Sequence, residues 1–251
     1  MSRIAIIAAM ERELHPLIVH SPRKDWKRSS LTVDGHDIQC FENGDTIAVI
    51  SGMGIKRAEA TARAVVKKYQ PEILISAGLA GALMRTLKVG NVVVPNVIVD
   101  AASGIEYRCS VGGEVIGGGV LVSTFEIVEK KSKAELVECF HALVVDMEAA
   151  GVAKVAQEFN LGFRCVKAIS DEFDFPLPPL NRFVDADGAF QTGNFVRWLS
   201  VRPWQWMNVL MLGRNSNLAA QALCDWLAKG LGGSLNAAKV VTLNGAESSD
   251  K

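Results

Sequence analysis

The chain has 251 residues, 49% hydrophobic and 22% charged, proportions that suit a globular protein with a sizeable core. Lys plus Arg and Asp plus Glu both total 27, so the formal net charge is zero. A protein that lives by binding nucleic acid carries a basic excess, so this balance argues against nucleic acid and for a small-molecule partner. No uninterrupted apolar run reaches the ~18–20 residues of a membrane span, and the five scattered cysteines read as small core residues of a reducing compartment, so a cytoplasmic location is expected.

Short apolar, β-branched runs alternate with helical patterns, which predicts an α/β fold with a central sheet. Ile4 to Ala8 reads as a buried strand and Glu11 to Val19 as a helix. Leu31 to Phe41 alternates around Asp34-Gly35, a hairpin signal. Thr46 to Ile50 is a strand running into Ser51-Gly52-Met53-Gly54, and Lys56 to Tyr69 a helix with Ala58, Ala62, Val65 and Val66 on one face. Ile73 to Ala77 is a strand that should close in a glycine-rich bend through Gly78 and Gly81. Val89 to Val99 is β-rich, residues 110–119 form a glycine-heavy loop, and Val120 to Val122 is a further strand. A helix near 131–139 precedes the strand Leu143 to Asp146, which leads directly into a helix over 147–158. Phe163 to Ile169 is the last strand, and the irregular stretch DEFDFPLPPL follows it. Two helical patterns separated by Arg202-Pro203 come next, and residues 231–251 should fray. No repeat or linker is visible, so residues 1–230 read as one domain.

Three acidic residues fall at or just after strand ends, where open α/β sheets bind their ligands: Glu13, Glu148 and Asp171. Taken singly, each has a plainer explanation. Glu13 and Glu148 suit the first turn of a helix, and Asp171 suits a cap or turn.

The segments IAIIAAMERE, SGMG, SAGLAGAL followed by LKVGNVVVP, VVDMEAAGVAKVA and VKAISD occur in that order. Together, over roughly residues 1–172, they resemble the purine nucleoside phosphorylase and nucleosidase superfamily, above all the methylthioadenosine/S-adenosylhomocysteine nucleosidases. The resemblance implies a three-layer α/β/α sandwich with a mixed central sheet. It also implies cleavage of the N-glycosidic bond of a 5′-substituted adenosine-type nucleoside, with no metal or cofactor, in a homodimer or assembly of dimers. Glu13 then matches the carboxylate that activates water, and Asp171 the acid that protonates purine N7. Glu148 would hold the ribose 2′- and 3′-hydroxyls with Met147 packed on the sugar, while Met53 and Gly81 would line the nucleoside pocket.

The chemistry is coherent with those roles. Breaking the bond builds positive charge on the ribose and negative charge on the base, so an acid at the base and a carboxylate near the sugar each lower the barrier. Asp171 must hold a proton as the base leaves, and Glu172 and Asp174 are the neighbouring acids that would favour this.

There are departures. Leu79 stands where nucleosidases usually carry Ser, and Ser76 where phosphorylases place an Arg. If phosphate were a second substrate, Lys56 and Arg57 at a helix start would be its candidate ligands, although a solvated first turn explains them as well. The base-stacking position falls on Phe125 or Ile127. The stretch FVRWLSVRPWQWMNVLML holds three of the five tryptophans. It is read first as core packing or a subunit contact, and second as a greasy surface for a lipid-linked nucleoside or a membrane. Its Arg-Pro element and leucine-rich helix also look like the hopanoid-associated branch of the superfamily, which would make phosphorolysis of a lipid-bearing adenosine the alternative activity. A nucleoside-binding protein without turnover is the remaining class, disfavoured because a bare binding site would not need both Glu13 and Asp171.

Overall fold

The computed structural model describes residues 3–20, 25–109, 118–128, 130–183 and 191–232. The elements run β1 (Ile4–Ala8), α1 (Glu11–His20), β2 (Lys27–Val33), β3 (His36–Asn43), β4 (Thr46–Ile50), α2 (Ile55–Tyr69), β5 (Ile73–Ala82), β6 (Val92–Val93) and β7 (Val97–Asp100). They continue with β8 (Glu106–Arg108), β9 (Val120–Ser123), α3 (Lys130–Phe140), β10 (Ala142–Asp146), α4 (Ala149–Glu158), β11 (Gly162–Asp171), α5 (Thr192–Ser200) and α6 (Pro203–Gly232).

The strands form one mixed sheet in the order β2-β3-β4-β1-β5-β10-β9-β7-β8, with β11 and β6 branching from β5. The β2–β3 hairpin turns at Asp34 and Gly35, both with positive φ (48° and 80°), as a two-residue hairpin of the favoured hand requires. Side-chain alternation in β1 sorts the layers. Ala5 and Ile7 join the core under α2 and α4, whereas Ile6 and Ala8 join the core under α1 and the second half of α6, through Leu14, Leu17, Ala219, Leu223 and Leu227. α3 covers a smaller cluster at Leu83, Val122 and Val145. The three-layer arrangement with a mixed sheet is therefore as expected.

Several boundaries differ from the sequence reading, with physical causes. β5 does not stop at Ala77: Gly78 and Gly81 lie inside the strand, because β11 pairs along its whole length and β10 pairs antiparallel at Gly81 and Ala82. Ladder bonds on both edges outweigh the weak strand preference of glycine. β11 extends to Asp171, with a register shift between Ile169 and Asp171. α4 begins at Ala149 rather than 147, since Glu148 remains non-helical at φ −135°. The β-rich stretch before Val99 is two short strands on either side of Pro95, which lacks the N–H a continuous ladder needs. α6 continues to Gly232, two residues past the expected end of the folded chain. Most of the loop expected at 110–119 and of the tail expected at 231–251, namely 110–117 and 233–251, lies outside the described residues.

β1, β4, β5 and β11 are mutually parallel. Their carboxyl ends therefore point the same way, and the overrun of β5 brings the end of antiparallel β10 to the same place through the Val145–Gly81 pair.

Candidate functional site

A cavity of about 470 Å³ opens at those strand ends, a size that suits a small organic molecule. Its lining includes all six residues singled out from sequence: Glu13, Met53, Gly81, Met147, Glu148 and Asp171.

Glu13 sits in the first turn of α1 with 2% exposure. Its Oε2 accepts the Met10 N–H at 3.0 Å, closing the helix N-terminus in the manner of a capping box. Its Oε1 accepts the Leu79 N–H at 3.3 Å. The helix-cap role and a role in the cavity thus coexist in one side chain, one oxygen serving each. Burial pushes its carboxyl above the ordinary value, moderated by those backbone N–H groups and by Lys167. An ionised carboxylate made more basic in this way is a better acceptor for a proton from water.

Glu148 is half-buried between β10 and α4, accepting N–H bonds from Gly54 at 3.2 Å and Met147 at 3.3 Å. Loss of hydration, together with the charges of Asp146 and Glu13, pushes it up to about 8 against the pull of Lys167. Beneath both glutamates lies a fully buried ion pair, Lys167 Nζ to Asp146 Oδ2 at 2.7 Å. Asp146 is further held by the Ser123 hydroxyl at 2.6 Å and the Ala149 N–H at 2.9 Å. Burial opposes the Lys167 ammonium, yet Asp146, Cys165 and Glu148 outweigh it and hold the group above its ordinary value. Three carboxyl groups therefore share one cation. The sequence reading missed Lys167, although a lysine inside the apolar run from Val166 to Ile169 was a legible signal of a buried partner.

Gly78 and Gly81 show why β5 carries glycine here. A Cβ at Gly78 would sit 3.4 Å from both Glu13 oxygens and 3.5 Å from Lys167 Nζ, and one at Gly81 would lie 2.9 Å from Asp171 Oδ2. The strand backbone itself is the wall against which both carboxyl groups rest.

Asp171 is 7% exposed and accepts the Ser170 hydroxyl at 3.1 Å on Oδ1. Glu172 and Asp174, the acids close to it in sequence, do not line the cavity. Glu172 pairs with Lys88 at 2.9 Å, and Asp174 pairs with Arg85 and, at 2.9 Å, with Lys130, both drawn outward by surface cations. The neighbour actually present is a cation, Lys133, whose Nζ lies 2.8 Å from Asp171 Oδ2.

The departures resolve as follows. Leu79 lines the cavity and contributes its backbone N–H to Glu13. Ser76 is buried at 1% exposure inside β5 with its hydroxyl unpaired, and is not part of the cavity wall. Lys56 is exposed and Arg57 packs over Gly52; neither lines the cavity, whereas Arg12 does. Of the two stacking candidates, Phe125 is 51% exposed and off the wall, while Ile127 lines it. The Asn181 side chain fixes Ile127 by accepting its N–H and donating to its carbonyl, each at 2.8 Å.

The tryptophan-rich stretch is not core: none of residues 195–212 is buried, and the buried positions of α6, Ala219, Ala220, Leu223 and Leu227, lie beyond it. In the first half of α6 Trp204 is 69% and Trp206 50% exposed. One stripe of it, Val209, Leu212, Gly213 and Ser216 at i, i+3, i+4 and i+7, forms the outer wall of the cavity together with Phe195, Leu177 and Leu180.

The chain resembles known proteins along most of its length. Among curated proteins, a 5′-methylthioadenosine/S-adenosylhomocysteine nucleosidase of Buchnera aphidicola is 26% identical over 206 residues, 68% of this chain and 79% of that one. Among solved structures, a Helicobacter pylori MTAN mutant with 5′-methylthioadenosine in its active site superposes with a TM-score of 0.68 at 18% identity, covering 92% of this chain and 99% of the other. Futalosine hydrolase of Helicobacter pylori strain 26695 gives 0.66 at 18% identity, over 92% and 97%. These likenesses establish the fold. The model of the phosphorylase superfamily matches residues 3–122 and 97–188, and with those residues building the sheet and most of the cavity, the chain belongs to the phosphorylase superfamily.

Proposed function

We propose that the chain hydrolyses the N-glycosidic bond of a 5′-substituted adenosine-type nucleoside and releases adenine. The observation that carries this reading is the gathering of Glu13, Glu148 and Asp171 in one cavity built on the carboxyl ends of the parallel strands. Glu13 takes the proton of the attacking water, helped by the burial that raises its basicity. Glu148 binds the ribose hydroxyls, and Asp171 delivers a proton to N7 as the C1′–N9 electrons move into the purine. The similarity to a methylthioadenosine/S-adenosylhomocysteine nucleosidase supports the substrate class. Hydrolysis is preferred to phosphorolysis because Ser76 is buried where phosphorylases place an Arg, and Lys56 and Arg57 do not line the cavity.

The test is incubation of the purified protein with methylthioadenosine, with and without phosphate. Free methylthioribose in both buffers is the expected product. Methylthioribose-1-phosphate, formed only with phosphate, would move the assignment to phosphorolysis. In the same assay Asp171→Asn should lower kcat by about 10²-fold or more, and near-normal turnover would remove Asp171 from its role.

A second reading concerns the 5′ substituent. The outer wall is apolar, and the helix that supplies most of it also exposes Trp204, Trp206, Met207 and Leu210. This favours a long apolar group, as in a lipid-bearing nucleoside, over the methylthio group alone. A series of 5′-alkylthio adenosines should show kcat/KM rising with chain length. A flat or falling series rejects the lipid-bearing substrate.

A further inference from the structure

Lys133 differs from Lys130 of the same helix, which is exposed. It is fully buried at 0% exposure, and its Nζ donates to Asp171 Oδ2 at 2.8 Å and to the Glu172 carbonyl oxygen at 3.1 Å. Taking an ammonium out of water costs several kcal/mol, and an apolar side chain of similar volume would fill the same space without that cost. The ion pair therefore calls for an explanation other than stability.

The surrounding charges are committed elsewhere. Glu172 is paired with Lys88, and Asp174 with Lys130 and Arg85. Of the other ionisable groups lining the cavity, Glu13, Glu148 and Asp146 share Lys167, while Arg12 and the exposed Glu126 have no ion pair or hydrogen bond to Asp171 among the described residues. The transferable proton nearest the Asp171 carboxylate thus sits on Lys133.

We propose that Lys133 is the proton reservoir behind Asp171, a positioning residue that acts on the purine through that carboxyl group. The inference rests on the reading of Asp171 as the donor to N7. As the C1′–N9 bond breaks, its electron pair enters the purine and N7 takes a proton from Asp171, while Nζ of Lys133 passes a proton to Oδ2 and is left a neutral amine. Water supplies hydroxide to C1′ and a proton to Glu13. Once neutral adenine departs, Glu13 returns its proton to solvent and Lys133 regains one, so the cycle consumes one water and no net proton. In this arrangement the proton that reaches N7 is drawn from Lys133 through the carboxyl group and not from bulk solvent.

The test compares two leaving groups. Methylthioadenosine needs N7 protonated, whereas 4-nitrophenyl riboside departs as a stable phenolate and needs no acid. Lys133→Met should lower kcat on methylthioadenosine at neutral pH by about 10–100-fold, yet change the nitrophenyl riboside by less than about 3-fold. The loss should shrink as pH falls, because solvent then supplies more of the protons that Lys133 no longer relays. An equal loss on both substrates, or no loss on either, overturns the proposal. Asp171→Asn run alongside separates the two layers. If that variant turns over methylthioadenosine normally, the reading of Asp171 itself has failed; if it is crippled while Lys133→Met is normal, only the reservoir has failed. Lys133→Gln, which keeps a donor but cannot release a proton, replaces the Met variant if the latter does not fold. The wild-type protein gives an independent readout: the ratio of its two kcat values should stay level from mildly acidic to mildly alkaline pH. A ratio that falls steadily with rising pH means that bulk solvent loads the acid, and overturns the proposal.

Discussion

Replacing Glu148 by Gln should make the ligand-free protein more stable at alkaline pH while it damages function. The folded value of Glu148 is about 8, against an ordinary 4.5, with lost hydration as the first cause and Asp146 and Glu13 next. Because the folded value lies above the unfolded one, the folded state binds this proton more tightly. Stability is therefore greatest below about 4.5, declines as pH rises, and carries the full burden of the ionised group above about 8. A carboxyl displaced that far would burden the fold by about 5 kcal/mol if it had no contact with water. Glu148 is only half-buried and opens to the cavity, so about 1–3 kcal/mol is the realistic figure. Gln copies the neutral carboxyl in shape, so the variant escapes that burden. For a chain of this size the gain corresponds to a Tm rise of about 2–10 °C near pH 9, shrinking to nothing near pH 5. Thermal denaturation of both proteins across that pH range, without ligand, measures it. A gap that does not depend on pH, or a variant less stable than wild type near pH 9, would refute the argument that three carboxyl groups overload the Lys167 cation.

Two further substitutions probe the glycines. Gly81→Ala places a methyl group 2.9 Å from Asp171 Oδ2 and 3.3 Å from Val145 Cγ1, which must push the carboxyl aside. Its kcat should fall by about 10²-fold with a Tm shift of only a few degrees, read from steady-state kinetics and a melting curve on one preparation. Gly151→Ala drives a methyl group to 2.2 Å from the Ile55 carbonyl oxygen, backbone against backbone between α4 and α2. Urea unfolding should show a loss at or above the usual ~1–3 kcal/mol of overpacking, and an unchanged midpoint would mean that the two helices can separate freely.

The sequence disclosed the order of the elements and the residues of the cavity floor, for reasons that differ between them. The pattern in α2 is clean because that helix buries one apolar face, and β1 reads as a strand because its short apolar run is buried on both faces of the sheet. β5 was cut short at Ala77 because glycine carries little local preference, and only its two flanking strands, distant in sequence, decide that the extended conformation continues. Glu13, Glu148 and Asp171 stand at or just after strand ends, which left each a plainer explanation, and the ordered motifs of the family resemblance singled them out. Lys133 was not: in KKSKAEL it looks the same as the lysines beside it, and its burial depends on where α3 lands relative to Asp171. The split of α6 was hidden as well, since a leucine- and tryptophan-rich helix has the same composition whether it covers a core or a cavity mouth.

That split helix separates two kinds of change. The side chains proposed for bond breaking sit where α1, the β10–α4 junction and β11 meet at the strand ends, while the outer wall comes from residues 177–216. In the first half of α6 no residue before Ser216 is buried, so Val209 and Leu212 should accept larger, smaller or polar residues at little cost to folding. If the proposed substrate is right, selectivity for its 5′ group can then change, in nature or in directed evolution, without disturbing the carboxyl groups. A library confined to Val209, Leu212 and Phe195 is the economical place to test this, because its members keep Glu13, Glu148 and Asp171.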